Sequence, residues 1–240
     1  RRGEGSYKTT IEAMELLKKE KLLFGISVCY TSKNINHVTS DEFLDKMVDM
    51  GVKYAFYFNY MPVGQSADKE LIPTPTQRKY MYFWMKKMRN GKTGKPLFAF
   101  DFQDDGEYVG GCIAGGRNYF HINSNGDIEP CVFIHYSDSN IRTDTLFEAL
   151  QKPLFMAYRK GQPFNDNHLM PCPMLENPDI LRRMIKETGA KSTDLVYKES
   201  VEELCSKCDD FSKEWAPVAK EIWENNPHPK TFTQYYRDHK

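Results

Sequence analysis

An excess of charge of either sign is missing from this chain. Its 33 Lys and Arg balance its 33 Asp and Glu, giving zero formal net charge over 240 residues. That balance offers no electrostatic case for nucleic acid or for an anionic membrane surface. Long apolar runs are also missing. None approaches the roughly 20 residues of a helical membrane span. Cysteine is sparse, at six residues. Six are too few for a disulfide scaffold in a chain of this length, so a reducing, cytoplasmic setting is expected. There is no GxxxxGK[ST] phosphate loop and no GxSxG nucleophile elbow. The chain opens Arg1-Arg2-Gly3-Glu4, without Met or a secretory leader, a start that suits a piece of a longer protein.

What is present begins with alternation. Residues 7–20 space Ile11, Met14 and Leu17 as one helix face. Leu22 to Tyr30 is a short apolar run with β-branched and aromatic members, which predicts a buried strand. Ser40 is placed to cap a helix over DEFLDKMVDM, and Gly51 to stop it. Lys53 to Tyr60 predicts a second strand, Thr76 to Arg89 a helix, and Pro96 to Asp101 a third strand. Strands alternating with helices of this length argue for βα units and a parallel sheet. After Asp101 the pattern changes to Gly/Asn loops and prolines, so a boundary is expected near residues 104–110. From about residue 179 the composition is helical and charged.

The segment GGCIAGGRNYFHINSNGDIEPCVFIH, residues 110–135, is the most specific stretch. Tyr119 to Asn123 reads as a strand, Asn125-Gly126 as a type I′ turn, and Asp127 to Ile134 as the return strand with Pro130 at an edge or bulge. Glycines 110, 111, 115 and 116 leave room beside Cys112 for a bulky inorganic group. Cys112, Cys131 and Cys172 are candidate thiolate ligands for iron and sulfide. On residue types alone they are as well read as small buried hydrophobes. Cys205 and Cys208 form a lone CxxC, a weak signal for iron or zinc. Cys29, inside a strand, reads as packing. His121 and His135 flank the hairpin and are candidates for a fourth ligand or for hydrogen-bonding support. Arg117 reads either as a counter-charge or as a solvated residue. Asp101, Asp104 and Asp105 lack a cation-loop spacing and read as turn closure.

Cys112, thirteen residues, Gly126, four residues, Cys131 resembles the opening of the SPASM/twitch motif of auxiliary iron–sulfur domains in radical SAM enzymes. The flanking DFQDDG, NIRTDTLFEAL and PCP, and upstream RRGEGSY, FGISVCYTS and YFNYMPVG, extend the resemblance over most of the chain. The departure is that the family's CxxxCxxC loop is absent, since the cysteines stand at 29, 112, 131, 172, 205 and 208.

The resemblance implies an α/β fold: the C-terminal half of a partial (β/α)6 TIM-like barrel over residues 1–106, a SPASM/twitch-like β-hairpin Fe–S domain over 107–178, and C-terminal helices over 179–240. It implies two cofactors, a [4Fe–4S] cluster and S-adenosyl-L-methionine. Cys112, Cys131 and Cys172 would hold the cluster in this chain, and Arg2, Ser27 and Asn59 would line the S-adenosylmethionine pocket. It implies an oxidoreductase-type parent that makes a 5′-deoxyadenosyl radical and abstracts hydrogen from a peptide, lipid or small metabolite. An electron donor such as ferredoxin or flavodoxin would serve it, and this chain alone would be inactive. The alternatives are a non-catalytic zinc or structural Fe–S interaction module and an inactive scaffold.

Overall fold

The computed structural model describes residues 3–226. Strands β1 (Gly25–Tyr30), β2 (Tyr54–Asn59) and β3 (Phe98–Asp101) form a parallel sheet in that order. The register pairs Gly25 with Tyr54 and Tyr54 with Phe98. Parallel neighbours need long crossovers, and helices supply them. Helix α1 (Ser6–Lys19) precedes β1, α2 (Ile35–Val38) and α3 (Asp41–Asp49) lead to β2, and α4 (Pro75–Arg89) leads to β3. The expected Ser40 cap is in place, and α4 has a cap that was not foreseen. The Ser40 hydroxyl accepts from the Phe43 amide. Thr74 and Gln77 close a reciprocal capping box at α4, with Pro75 at its first turn.

The sheet's two faces differ. Val28, Tyr30, Ala55, Tyr57 and Ala99 are buried and pack with Leu44, Met47, Met81 and Met85 of the helices. The alternate residues form an aromatic face that the helices leave open. Phe56 stacks on Phe100 with centroids 4.7 Å apart, and Phe58 on Phe102 at 4.5 Å. Cys29 lies in β1 as expected, but on this open face beside Ser27, not in the helix-side core.

Beyond β3 the regular elements shorten. Helix α5 (Gly106–Val109) is followed by a hairpin of β4 (His121–Ile122) and β5 (Ile128–Glu129). Strand β6 (Tyr136–Ser137) pairs antiparallel with β7 (Lys191–Ser192). Helices α6 (Leu146–Ala149), α7 (Pro153–Gly161), α8 (Pro178–Thr188), α9 (Val201–Ser206) and α10 (Asp209–Asn225) complete the chain. The hairpin turn differs from expectation. The Gly126 amide donates to the Asn123 carbonyl, and Gly126 has φ +87° while Asn125 does not have positive φ. The turn therefore starts at Asn123, not as a two-residue type I′ loop. Asn123 Oδ1 accepts from the amides of Asn125 and Asp127, which sets the earlier start. Pairing also ends sooner than expected, because Pro130 has no amide to donate.

Two apolar cores meet at α4. Met81, Trp84, Met85 and Met88 belong to the sheet core. Tyr82 joins the other core, built around Leu154, Tyr158, Leu181 and Trp215. On that side α4 buries Arg78 completely. Its Nε donates to Asp104 Oδ1 at 2.8 Å and its Nη1 to Glu176 Oε1 at 2.9 Å. The guanidinium lies 5.0 Å from the ring centroid of Trp215 on α10. Burial raises the pKa of both acids, and Arg78 pulls them back down.

Removing Arg78 would leave two buried carboxylates unpaired. Arg78→Met is expected to cost about 3–5 kcal/mol in the urea unfolding free energy near neutral pH. Without the cation the folded-state pKa values of Asp104 and Glu176 rise further above their unfolded values. The carboxylates then protonate as pH falls, so the gap to wild type should narrow toward acid. A gap that is constant with pH would show that the pairing is not what is lost.

Candidate metal centre

Cys112, Cys131 and Cys172 come from three separate segments, yet all line one cavity of about 220 Å³. Cys112 lies in the loop after α5, Cys131 follows Pro130 beyond β5, and Cys172 sits in the turn before α8. Phe56, Met61, Phe100 and Phe102 form the opposite wall. The cavity thus joins the open aromatic face of the sheet to the thiols, at the C-terminal end of β3.

Each sulfur has an amide aimed at it from just downstream. Cys112 accepts from the Ala114 backbone and Cys131 from the Phe133 backbone. Cys172 Sγ accepts from the Met174 and Leu175 amides, both at 3.4 Å. Amides directed at sulfur favour thiolate over thiol, which is the form that ligates metal. Burial works the other way. It pushes the Cys112 thiol up to about 12, aided by the neighbouring Cys131, and raises Cys131 and Cys172 as well. Among the described residues no three Cys, His, Asp or Glu groups are already gathered as a metal-holding set. Three thiols spread around one cavity fit a multi-iron cluster, whose irons are themselves spread apart. A single zinc instead needs its donors about 2.0–2.3 Å from one point.

The loop that carries Cys112 is held by its own side chains. Arg117 Nη1 donates to the carbonyls of Gly110 and Cys112 at 2.9 and 3.0 Å, and Nη2 to that of Val109. Arg117 thus clamps the loop that carries Cys112. Gln162 Nε2 donates to the Cys112 and Ala114 carbonyls at 3.1 and 2.9 Å. Gly111 lines the cavity beside Cys112, as expected, whereas Gly115 does not. At Gly115, with φ +66°, a Cβ would meet the Tyr158 ring at 2.4 Å. The room it leaves is filled by protein, so that α7 can approach the Cys112 loop.

Other expected residues are placed elsewhere. Cys205 and Cys208 are fully buried in the core with Trp215 and do not line the cavity. His135 is bound at both nitrogens, Nδ1 by Asp194 at 2.7 Å and Nε2 by the Val132 carbonyl at 3.2 Å. His121 Nδ1 pairs with the buried Glu129 at 2.7 Å. Neither histidine lines the cavity. Ser27 is exposed on the open sheet face, whereas Asn59 is 1% exposed on the other. Alternation along the strands thus keeps these two from sharing a pocket wall. Arg2 lies outside the described residues. Asp101 closes its turn as expected, accepting from the Gln103 and Asp104 amides. Sequence reasoning missed Tyr119, whose hydroxyl lies 2.9 Å from Cys131 Sγ, and Tyr158. Tyr119 was in view as a strand residue, but nothing local showed where its hydroxyl would go.

Cys112→Ala, Cys131→Ala and Cys172→Ala are each expected to lose most bound iron after anaerobic reconstitution, while Cys29→Ala keeps it. Equal iron in all four would refute the site. Because the thiols are protonated at neutral pH, ligation must release protons. Occupancy at fixed limiting iron and sulfide should therefore rise from about pH 6.5 to 8.5. A flat or falling profile would show that these thiols are not the ligands.

Residues 112–209 match the SPASM family model, described as an iron–sulfur cluster-binding domain. No curated protein matches the chain in sequence. Solved structures similar to it include native anSMEcpe with bound AdoMet and the Cp18Cys peptide, at TM-score 0.49 and 16% identity over 92% of this chain and 64% of that one. Native anSMEcpe with bound AdoMet gives TM-score 0.49 and 16% identity over 92% and 62%. This chain thus spans less than two thirds of the length of those structures. The match to that family model begins at Cys112, the first of the three candidate ligands, and takes in Cys131 and Cys172.

Proposed function

We propose that this chain contributes the auxiliary iron–sulfur site of a radical SAM enzyme, with Cys112, Cys131 and Cys172 as its protein ligands. The observation that carries the reading is their convergence, amides aimed at each sulfur, on a cavity walled by the open face of a parallel sheet. Barrel enzymes build their sites at the C-terminal ends of such strands. A bound cluster would supply single-electron chemistry there.

The chain's own residues would prepare the space. Phe56, Phe100 and Phe102 make the sheet wall apolar and exclude water from the cavity. Gln103 Oε1 accepts from the Asn59 amide, and its Nε2 lies 3.8 Å from Met61 Sδ, which fixes the loop between wall and thiols. Asp101 lines the same cavity. Burial, with Asp104 beside it, raises the Asp101 pKa, so this wall disfavours a charge there. Ser27 pairs in register with Phe56 and shares the open face, which supports its assignment near S-adenosylmethionine. Asn59, on the other face, loses that support.

Two measurements test the reading. Reconstitution should give iron and acid-labile sulfide in near-equal amounts, about four of each per chain for a [4Fe–4S] cluster, with visible absorption that dithionite bleaches. Stoichiometric zinc without sulfide would instead make the chain a zinc module. Without a CxxxCxxC loop in this sequence, the chain with dithionite and S-adenosylmethionine should yield no 5′-deoxyadenosine. Its appearance would overturn the division of labour proposed here.

A further inference from the structure

Tyr119 lines the thiol cavity, and Tyr158 belongs to the core that the three thiols border. The Tyr119 hydroxyl stands 2.9 Å from Cys131 Sγ. Tyr158, on α7, is 0% exposed. Its hydroxyl makes no hydrogen bond among the described residues. Cys112, Cys131 and Cys172 border the same apolar core as Tyr158. A buried hydroxyl without a partner is unfavourable and calls for an explanation. Its ring is seated by the close approach at Gly115, in the apolar core against which Cys112, Cys131 and Cys172 pack.

We propose that the Tyr119 and Tyr158 hydroxyls are hydrogen-bond donors to the sulfurs of the cluster site and that they set its reduction potential. This rests on the ligand assignment above. Reduction adds negative charge that is shared by the sulfurs. An O–H pointed at sulfur stabilises the more negative state, and so makes reduction easier. Tyr119 already has its sulfur partner in Cys131. Tyr158 gains one when thiols become thiolates around iron and sulfide. Both are positioning residues and need not touch a substrate.

The test uses the full chain reconstituted with ferrous iron and sulfide, and the variants Tyr119→Phe, Tyr158→Phe and the double. Each should keep wild-type iron and sulfide. In a potentiometric titration followed by electron paramagnetic resonance, each should be harder to reduce. At the wild-type midpoint the reduced-to-oxidised ratio of the double variant should fall about tenfold, ~59 mV for a one-electron couple. Thermal melting supplies a second readout. Prepared without iron, Tyr158→Phe should melt at or above wild type, because an unpartnered hydroxyl has been removed. Loaded, it should melt below wild type. Unshifted potentials with the same melting offset in both preparations would overturn the proposal. So would loss of iron from both single variants, the mark of a purely structural role. A wild type that takes up no iron and sulfide would overturn the ligand assignment itself, and this proposal with it.

Discussion

The buried guanidinium of Arg78 is the interaction on which the arrangement depends. It lies on α4, the helix shared by both cores, and takes one carboxylate from each side of the molecule. Asp104 follows the end of β3, and Glu176 follows Cys172. Glu176 Oε2 in turn accepts from the Cys172 amide at 2.8 Å. A single cation thus ties the sheet's C-terminal end to the loop that presents the third thiol. Burying one positive and several acidic groups together is costly unless they are paired. The pairing therefore fixes the distance between the aromatic wall and the Cys172 turn more firmly than apolar packing alone would.

The cavity follows from that spacing. On one side, strand alternation leaves Phe56 and Phe100 uncovered. On the other, the loop after α5, the segment beyond β5 and the turn before α8 each end on a cysteine. Only the second of these sits next to regular structure, and all three rely on side chains to hold them: Arg117 and Gln162 for Cys112, Tyr119 for Cys131, Glu176 and Asn177 for Cys172. Loops carry function well when a scaffold over-determines them. Here much of the scaffold is hydrogen bonds to the loop backbones.

Local chemistry made part of this legible in the sequence. Ser40 announced a helix start, and the apolar runs around Val28 and Phe56 announced strands, because capping and periodicity act within a few residues. The hairpin between Cys112 and Cys131 was legible for the same reason, although Asn123 rather than Asn125 opens its turn. Arg78 was not legible. Its partners lie 26 and 98 positions away, and on the helix pattern it reads as one more surface cation. Gly115 was misread because its space is claimed by Tyr158, which arrives from more than 40 positions on. Neither the gathering of Cys172 with the hairpin nor the exclusion of Cys205 and Cys208 follows from spacing. Both are decided by how α8, α9 and α10 pack.

The helix common to both cores bears on modularity. Composition suggests a seam near residues 104–110, and a cluster-binding segment bounded by such a seam invites treatment as a portable cassette. The atoms do not divide there. Tyr82 and Ile72 from the sheet half are built into the second core, and the Arg78 guanidinium lies beside Trp215. A transplant of the cysteine-bearing half would carry away Glu176 without its counter-ion and leave an apolar socket where α4 had been. The two halves therefore share their packing through α4, and neither would keep its core intact without the other.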